Sequence, residues 1–134
     1  MNRYDLQFLV LAALSLIVGV SLGIVMAASR DFQLMPVHAH LNLVGWVSLA
    51  LFGLVYRAYP SLGMKRLARA HMLLSAPAAI LLPIGIVLAL TRQSEALAIT
   101  AALLWLAGAV VFLIQLLSLF SATETTAAAV APAE

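Results

Sequence analysis

Residues 37–59, VHAHLNLVGWVSLALFGLVYRAY, decide the fold. The run is apolar almost throughout, and its length is that of a helix crossing a hydrocarbon core roughly 30 Å thick, which takes about 20 residues. Three more runs of the same kind lie at 6–28, 67–90 and 96–120. None alternates as a membrane barrel strand must, and backbone groups in lipid have to find partners within their own segment, so each run reads as a helix. The breaks carry turn residues: Ser29-Arg30-Asp31 ahead of Pro36, Pro60-Ser61-Leu62-Gly63 ahead of Lys65 and Arg66, and Thr91-Arg92-Gln93-Ser94-Glu95 ahead of the last run. All three connections are short, so consecutive helices should be antiparallel neighbours. The expected fold is all-α, a four-helix transmembrane bundle with up-and-down topology over residues 1–120. Residues 121–134, SATETTAAAVAPAE, have no periodic apolar face and read as a disordered tail, with a short helical extension as the alternative.

Composition fixes the compartment independently. A chain of 134 residues that is 65% hydrophobic and 9% charged, with mean hydropathy +1.12, has too little polar surface to cover a soluble core. The first run is about twice the 7 to 15 residues of a signal-peptide core, so it is expected to stay as a helix despite Met26-Ala27-Ala28 near its end. Arg3, Arg57, Lys65, Arg66 and Arg69 fall on one side of the bundle and only Arg30 and Arg92 on the other. Short basic loops stay in the cytoplasm, so both termini should be cytoplasmic. The expectation is a multi-pass protein of the bacterial inner (cytoplasmic) membrane, surrounded by membrane lipids. The pI near 9.5 follows from this asymmetry and implies no nucleic acid partner. Absence of cysteine excludes disulfides, thiolate metal sites and thioether haem attachment, leaving imidazole as the strong ligand type.

An imidazole within a membrane span is costly and marks a ligand, proton or ion site. At about 100° per residue, Asn42, Gly45, Leu49, Gly53 and Tyr56 fall within roughly 60° of His38 on the second helix. His40 lies about 200° round, with Leu43, Val47, Leu51 and Leu54, so one metal does not easily take both rings from a regular helix. Pro36 suits a first helical turn, where the backbone can still be irregular. On the third helix His71, Ser75, Ala78, Leu82, Gly85 and Ala89 share a face. Small residues on facing stripes either pack closely or leave a slot for a flat ligand, and Pro77 and Pro83 should kink this helix and favour a cavity. In an antiparallel pair His71 is level with Gly53 and Tyr56, which separates it from His38 by roughly 25 Å along the membrane normal. The two cannot share a metal. Gln115 reads as an interhelical hydrogen-bonding residue, and Trp46 and Trp105 as core or lipid-facing bulk.

The stretch PVHAHLNLVGWVSLALFGLVYRAYP resembles the second transmembrane helix of the catalytic subunit I of haem-copper oxidases, most nearly the cbb-type oxidase and nitric oxide reductase branch. The whole chain is similar to the small four-helix proteins described as oxidase subunit I-like, through its HAHLNLxGW box and a third helix that begins with a histidine. The resemblance implies that a histidine of this box is an axial ligand of haem b. Pro36-Val37-His38 matches the family's Pro-x-His spacing and His40-Leu41-Asn42 its His-x-Asn spacing, so both rings remain candidates, with the helical face favouring His38. The later oxidase helices, which supply the opposite haem ligand, the copper histidines and an active-site tyrosine, have no counterpart here. The chain alone is therefore not expected to reduce oxygen or nitric oxide.

What the resemblance leaves is a non-covalent haem b lodged against Gly45 and Gly53, with His38 or His40 as one ligand and Asn42 beside it. The second ligand would come from a homo-oligomer, from a partner subunit in a larger respiratory complex, or be absent. Ser15, Gly19 and Gly23, four apart on the first helix, offer a dimer face. His71 has three readings: an interfacial residue beside Arg66 and Arg69, a second haem ligand, or a proton-handling group. The expected role is electron transfer or haem handling linked to a respiratory or denitrification chain. Two alternatives stay open: a copper site built on His38 and His40 with a third ligand from Asn42, Met35 or a neighbouring chain, serving metal delivery to an oxidase, and a non-catalytic or assembly subunit.

Overall fold

The structure, a computed structural model, describes residues 3–64 and 66–130, with side chains as far as Phe120. Four helices carry the fold: α1 (Tyr4–Ser29), α2 (Met35–Ala58), α3 (Arg66–Leu90) and α4 (Ala96–Val130). Each contains a stretch long and apolar enough to cross a membrane, and the described residues contain no strand. The chain is a multi-pass, four-helix membrane protein, as its apolar runs require. The start of α1 and the end of α4 lie at one end of the bundle, hereafter the terminal end. α4 stays helical beyond residue 120, through Val130.

Local chemistry sets the helix ends. α1 stops where Arg30 turns left-handed at φ 56°, while the Ser29 hydroxyl donates to the Val25 carbonyl at 2.8 Å and the Asp31 carboxylate accepts the Gln33 N–H at 3.0 Å. α3 stops in the same way at Arg92, φ 56°, with the Thr91 hydroxyl donating to Val87 at 3.0 Å. Ser94 then accepts the Ala96 N–H at 3.2 Å, at the start of α4. Proline opens α2 at Pro36 and a single turn, Pro60–Gly63, that tucks Leu62 into the core. α3 runs unbroken through Pro77 and Pro83.

α2 packs on α1 and α3 on α4, and large aliphatic residues such as Ile17, Ile24, Leu51, Leu73 and Leu103 point outward, as lipid contact requires. Lipid tails are as apolar as leucine, so helices in a membrane associate where small residues let their backbones close up. A Cβ placed on Gly45 would come within 2.7 Å of Ser15, and one on Gly53 within 2.9 Å of the Asp5 carbonyl. Reciprocally, Gly19 admits the Asn42 amide and Gly23 the His38 ring. The Ser15, Gly19, Gly23 stripe is thus the seam between α1 and α2; the expected use of it as a dimer face is corrected, because the chain's own second helix fills it. The third-helix stripe is filled as well, with Gly85 pressed on the Ala98 backbone of α4 and Gly108 on Ser75.

One local feature departs from a regular helix. The middle of α2, Leu41–Ser48, is π-helical, and the Ser48 hydroxyl donates to the carbonyl of Leu43, five residues back, at 2.7 Å. A π turn takes more residues than the 3.6 of an α turn, so residues four apart stay in line through it. The buried stripe accordingly runs Val37, Gly45, Leu49, Gly53, Tyr56, and His38 sits half-buried at its edge, against α1. On the His40 side, Leu43, Val47, Leu51 and Leu54 are exposed.

Candidate functional site

The three histidines occupy two opposed chemical environments. His38 and His40 stand at the start of α2, at the end of the bundle away from the termini. The His38 ring lies across Gly23, where glycine alone leaves room, and its Nδ1 is 2.9 Å from the Gly19 carbonyl oxygen. A carbonyl can only accept, so Nδ1 carries a proton, and in the neutral ring Nε2 keeps its lone pair. The Asn42 amide, 3.5 Å from Nδ1, is too far to compete; it donates instead to the His38 carbonyl at 2.8 Å. His40 repeats the arrangement, with Nδ1 2.7 Å from the Pro36 carbonyl. Metal-binding histidines are oriented in this way, one ring N–H held by a carbonyl and the other nitrogen free to ligate.

His71 is different. It lies in the second turn of α3 and is fully buried, so the interfacial reading of this residue is corrected. Phe52, Phe8 and Phe112 surround it at ring-centroid distances of 4.5, 5.0 and 5.1 Å. The Tyr56 hydroxyl is 2.9 Å from His71 Nδ1 and accepts the Gln115 side-chain N–H at 2.8 Å. With Gln115 donating into its oxygen, the phenol's own proton finds a partner here only at Nδ1. The His71 ring proton is therefore on Nε2. That N–H is buried and finds no partner among the described residues, nor do the Ser75 hydroxyl and Gln115 Oε1 nearby on the same and the adjoining helix. His71 is fully buried, and its cage of aromatic rings leaves no room for a macrocycle. It does not fit the role of a haem or metal ligand.

Nor do Gly45 and Gly53 fit a haem slot, since Ser15, Leu9 and the Asp5 carbonyl already occupy the space each glycine opens. The interior of the bundle has no gap at these positions. His38 and Tyr56 are roughly 25 Å apart along α2 at 1.5 Å per residue, so the outer pair and the buried histidine cannot act on one centre. Among the described residues no three His, Asp, Glu or Cys side chains come together as a metal-ligand group.

Gln115 makes the interhelical bond expected of it. Tyr56, the centre of the buried network, carries no role in the sequence reading, although its level with His71 was readable from the helix register. Trp46 is 39% exposed on the lipid side, and Trp105 packs on Phe52 at 5.8 Å. Comparison with known protein families, curated proteins and solved structures gives no match to this chain.

Proposed function

We propose that this membrane protein holds haem b at the His38 end of the bundle and serves electron transfer or haem handling beside a respiratory or denitrification chain. The observation that carries the proposal is the Nδ1–H of His38 held by the Gly19 carbonyl at 2.9 Å, an arrangement in which Nε2 of the half-buried ring would hold the haem iron. The π-helical segment that follows is a second support, because such segments recur at functional sites. Bound haem would supply a one-electron redox couple. The chain's own contributions are to orient the imidazole through Gly19, to keep Asn42 beside it, and to present apolar helix faces to the macrocycle. With Gly45 and Gly53 filled, the macrocycle belongs at the surface of the His38 end, against a second copy or a respiratory partner that can complete its coordination.

Copper is the second reading, favoured by one observation: His40 has the same protonation pattern as His38, so two free Nε2 atoms lie two residues apart. Full-length protein purified in detergent after haem-sufficient expression separates the readings by reduced-minus-oxidised spectra and metal analysis. The expected result is b-type bands that His38→Ala halves or abolishes and that His71→Ala retains in whatever protein folds. Copper without haem supports the second reading. Full haem occupancy in a His38→Ala, His40→Ala double variant overturns the proposal.

A further inference from the structure

We infer that the terminal end of the bundle holds a binding site for a phosphate group, carried by a lipid headgroup or by a soluble phosphate compound. A cavity of about 650 Å³ opens there, within the size range of small-ligand sites. Arg3, Arg57, Arg66 and Arg69 line it, from α2, α3 and the cap of α1, with Asp5 as the one carboxylate and Tyr56 in its wall. Asp5 is committed: Arg57 reaches it at 3.0 Å and Arg3 at 3.3 Å, which draws both guanidinium groups together at the cavity. Arg66 and Arg69 have no ion pair among the described residues. They lie three apart on one helix face, where like charges repel, and in the first turns of α3, where the helix dipole is already positive. The other carboxylates with described side chains, Asp31 and Glu95, are in loops at the opposite end. Four cations against one carboxylate in a concave wall make a site that an anion completes.

Arginine suits this ligand, since its planar fork matches phosphate oxygens in pairs. A cytoplasmic excess of Arg and Lys by itself reports only topology. What goes beyond topology here is that the four side chains converge on one cavity and that Asp5 braces two of them. The site is at the far end of α2 from His38, so its test is independent of the haem reading.

The test uses the full chain in a neutral detergent, with short-chain phosphatidylglycerol, short-chain phosphatidylcholine and inorganic phosphate as probes, followed by the rise in unfolding temperature with probe concentration. Phosphatidylglycerol is expected to bind more tightly than phosphatidylcholine, whose choline cation the arginines repel. The Arg66→Gln, Arg69→Gln variant should bind the anionic probe roughly thirty-fold more weakly, the factor that corresponds to losing two cations near a phosphate. Arg30→Asn, Arg92→Asn, which removes the same charge at the opposite end and suits the left-handed backbone there, should stay within about twofold of the parent. Stabilisation by inorganic phosphate without any by lipid identifies a soluble phosphate compound as the source, and the reverse a lipid. Both support the site. Equal binding by the Arg66, Arg69 variant, equal loss in the Arg30, Arg92 variant, or no response of the parent to either anion overturns it.

Discussion

Replacing Tyr56 by phenylalanine is the sharpest test of the buried network. The tyrosine is 3% exposed, and the two groups bonded to its hydroxyl, His71 and Gln115, are at 0%. Removing one oxygen orphans two partners at once: the Gln115 N–H loses its acceptor and His71 Nδ1 its donor. In a water-soluble core each orphan costs about 1–3 kcal/mol. In membranes the average bond is worth roughly 0.6 kcal/mol, because partly unfolded helices in detergent also find partners. The membrane reference applies here, so Tyr56→Phe should lower stability by about 1–3 kcal/mol in total. Gln115→Leu should cost less, since the hydroxyl can still donate to His71 and an already unpaired Oε1 is removed with the amide. The double variant Tyr56→Phe, Gln115→Leu should then be more stable than the sum of the two changes by about 1 kcal/mol, as expected of residues in one network. Reversible unfolding of the full chain in mixed micelles, followed by circular dichroism or tryptophan fluorescence, measures all four corners of the cycle. Additivity within about 0.3 kcal/mol, or a Tyr56→Phe protein as stable as the parent, would refute the network as described.

Two glycines make a contrasting pair. At Gly85 a Cβ would press on the backbone of Leu97 and Ala98, which cannot swing aside as a side chain can, so Gly85→Val should destabilise the α3–α4 pairing by more than about 2 kcal/mol in the same unfolding assay. At Gly63 nothing lies within 4 Å and the backbone φ is not positive, so Gly63→Ala should be neutral or stabilising by up to about 1 kcal/mol.

The spans were legible because lipid permits only a few backbone solutions, and lengths near 20 apolar residues leave little choice. The outward face of α2 was legible too: Leu43, Val47, Leu51 and Leu54 mark it by composition, and they are exposed. The partner of a small-residue stripe was not. Ser15, Gly19 and Gly23 say only that something comes close, and whether that is a second chain or α2 depends on a register that no local pattern encodes. The π-helical turn at Leu41–Ser48 was equally hidden, since no residue there forbids an α-helix; its effect is to move His38 from the middle of the buried stripe to its edge. Of the three readings of His71, the interfacial one fails: neighbouring arginines suggested it, while the residues that bury the ring, Phe8, Phe52 and Phe112, come from three other helices. Its protonation state follows from Tyr56 and Gln115, which are distant in sequence, and could only be read with the helices assembled.

The two environments give the neutral histidines opposite protonation patterns, with Nε2 free on His38 and His40 and protonated on His71. Nitrogen-15 NMR of histidine-labelled, cofactor-free protein in micelles, held at a pH where the rings are neutral and assigned by single His→Gln variants, reads this directly. The expected spectrum has unprotonated Nε2 signals for His38 and His40 and an unprotonated Nδ1 signal for His71. A protonated Nε2 on His38 together with a free Nε2 on His71 would reverse the assignment of ligand and structural histidine and contradict the account.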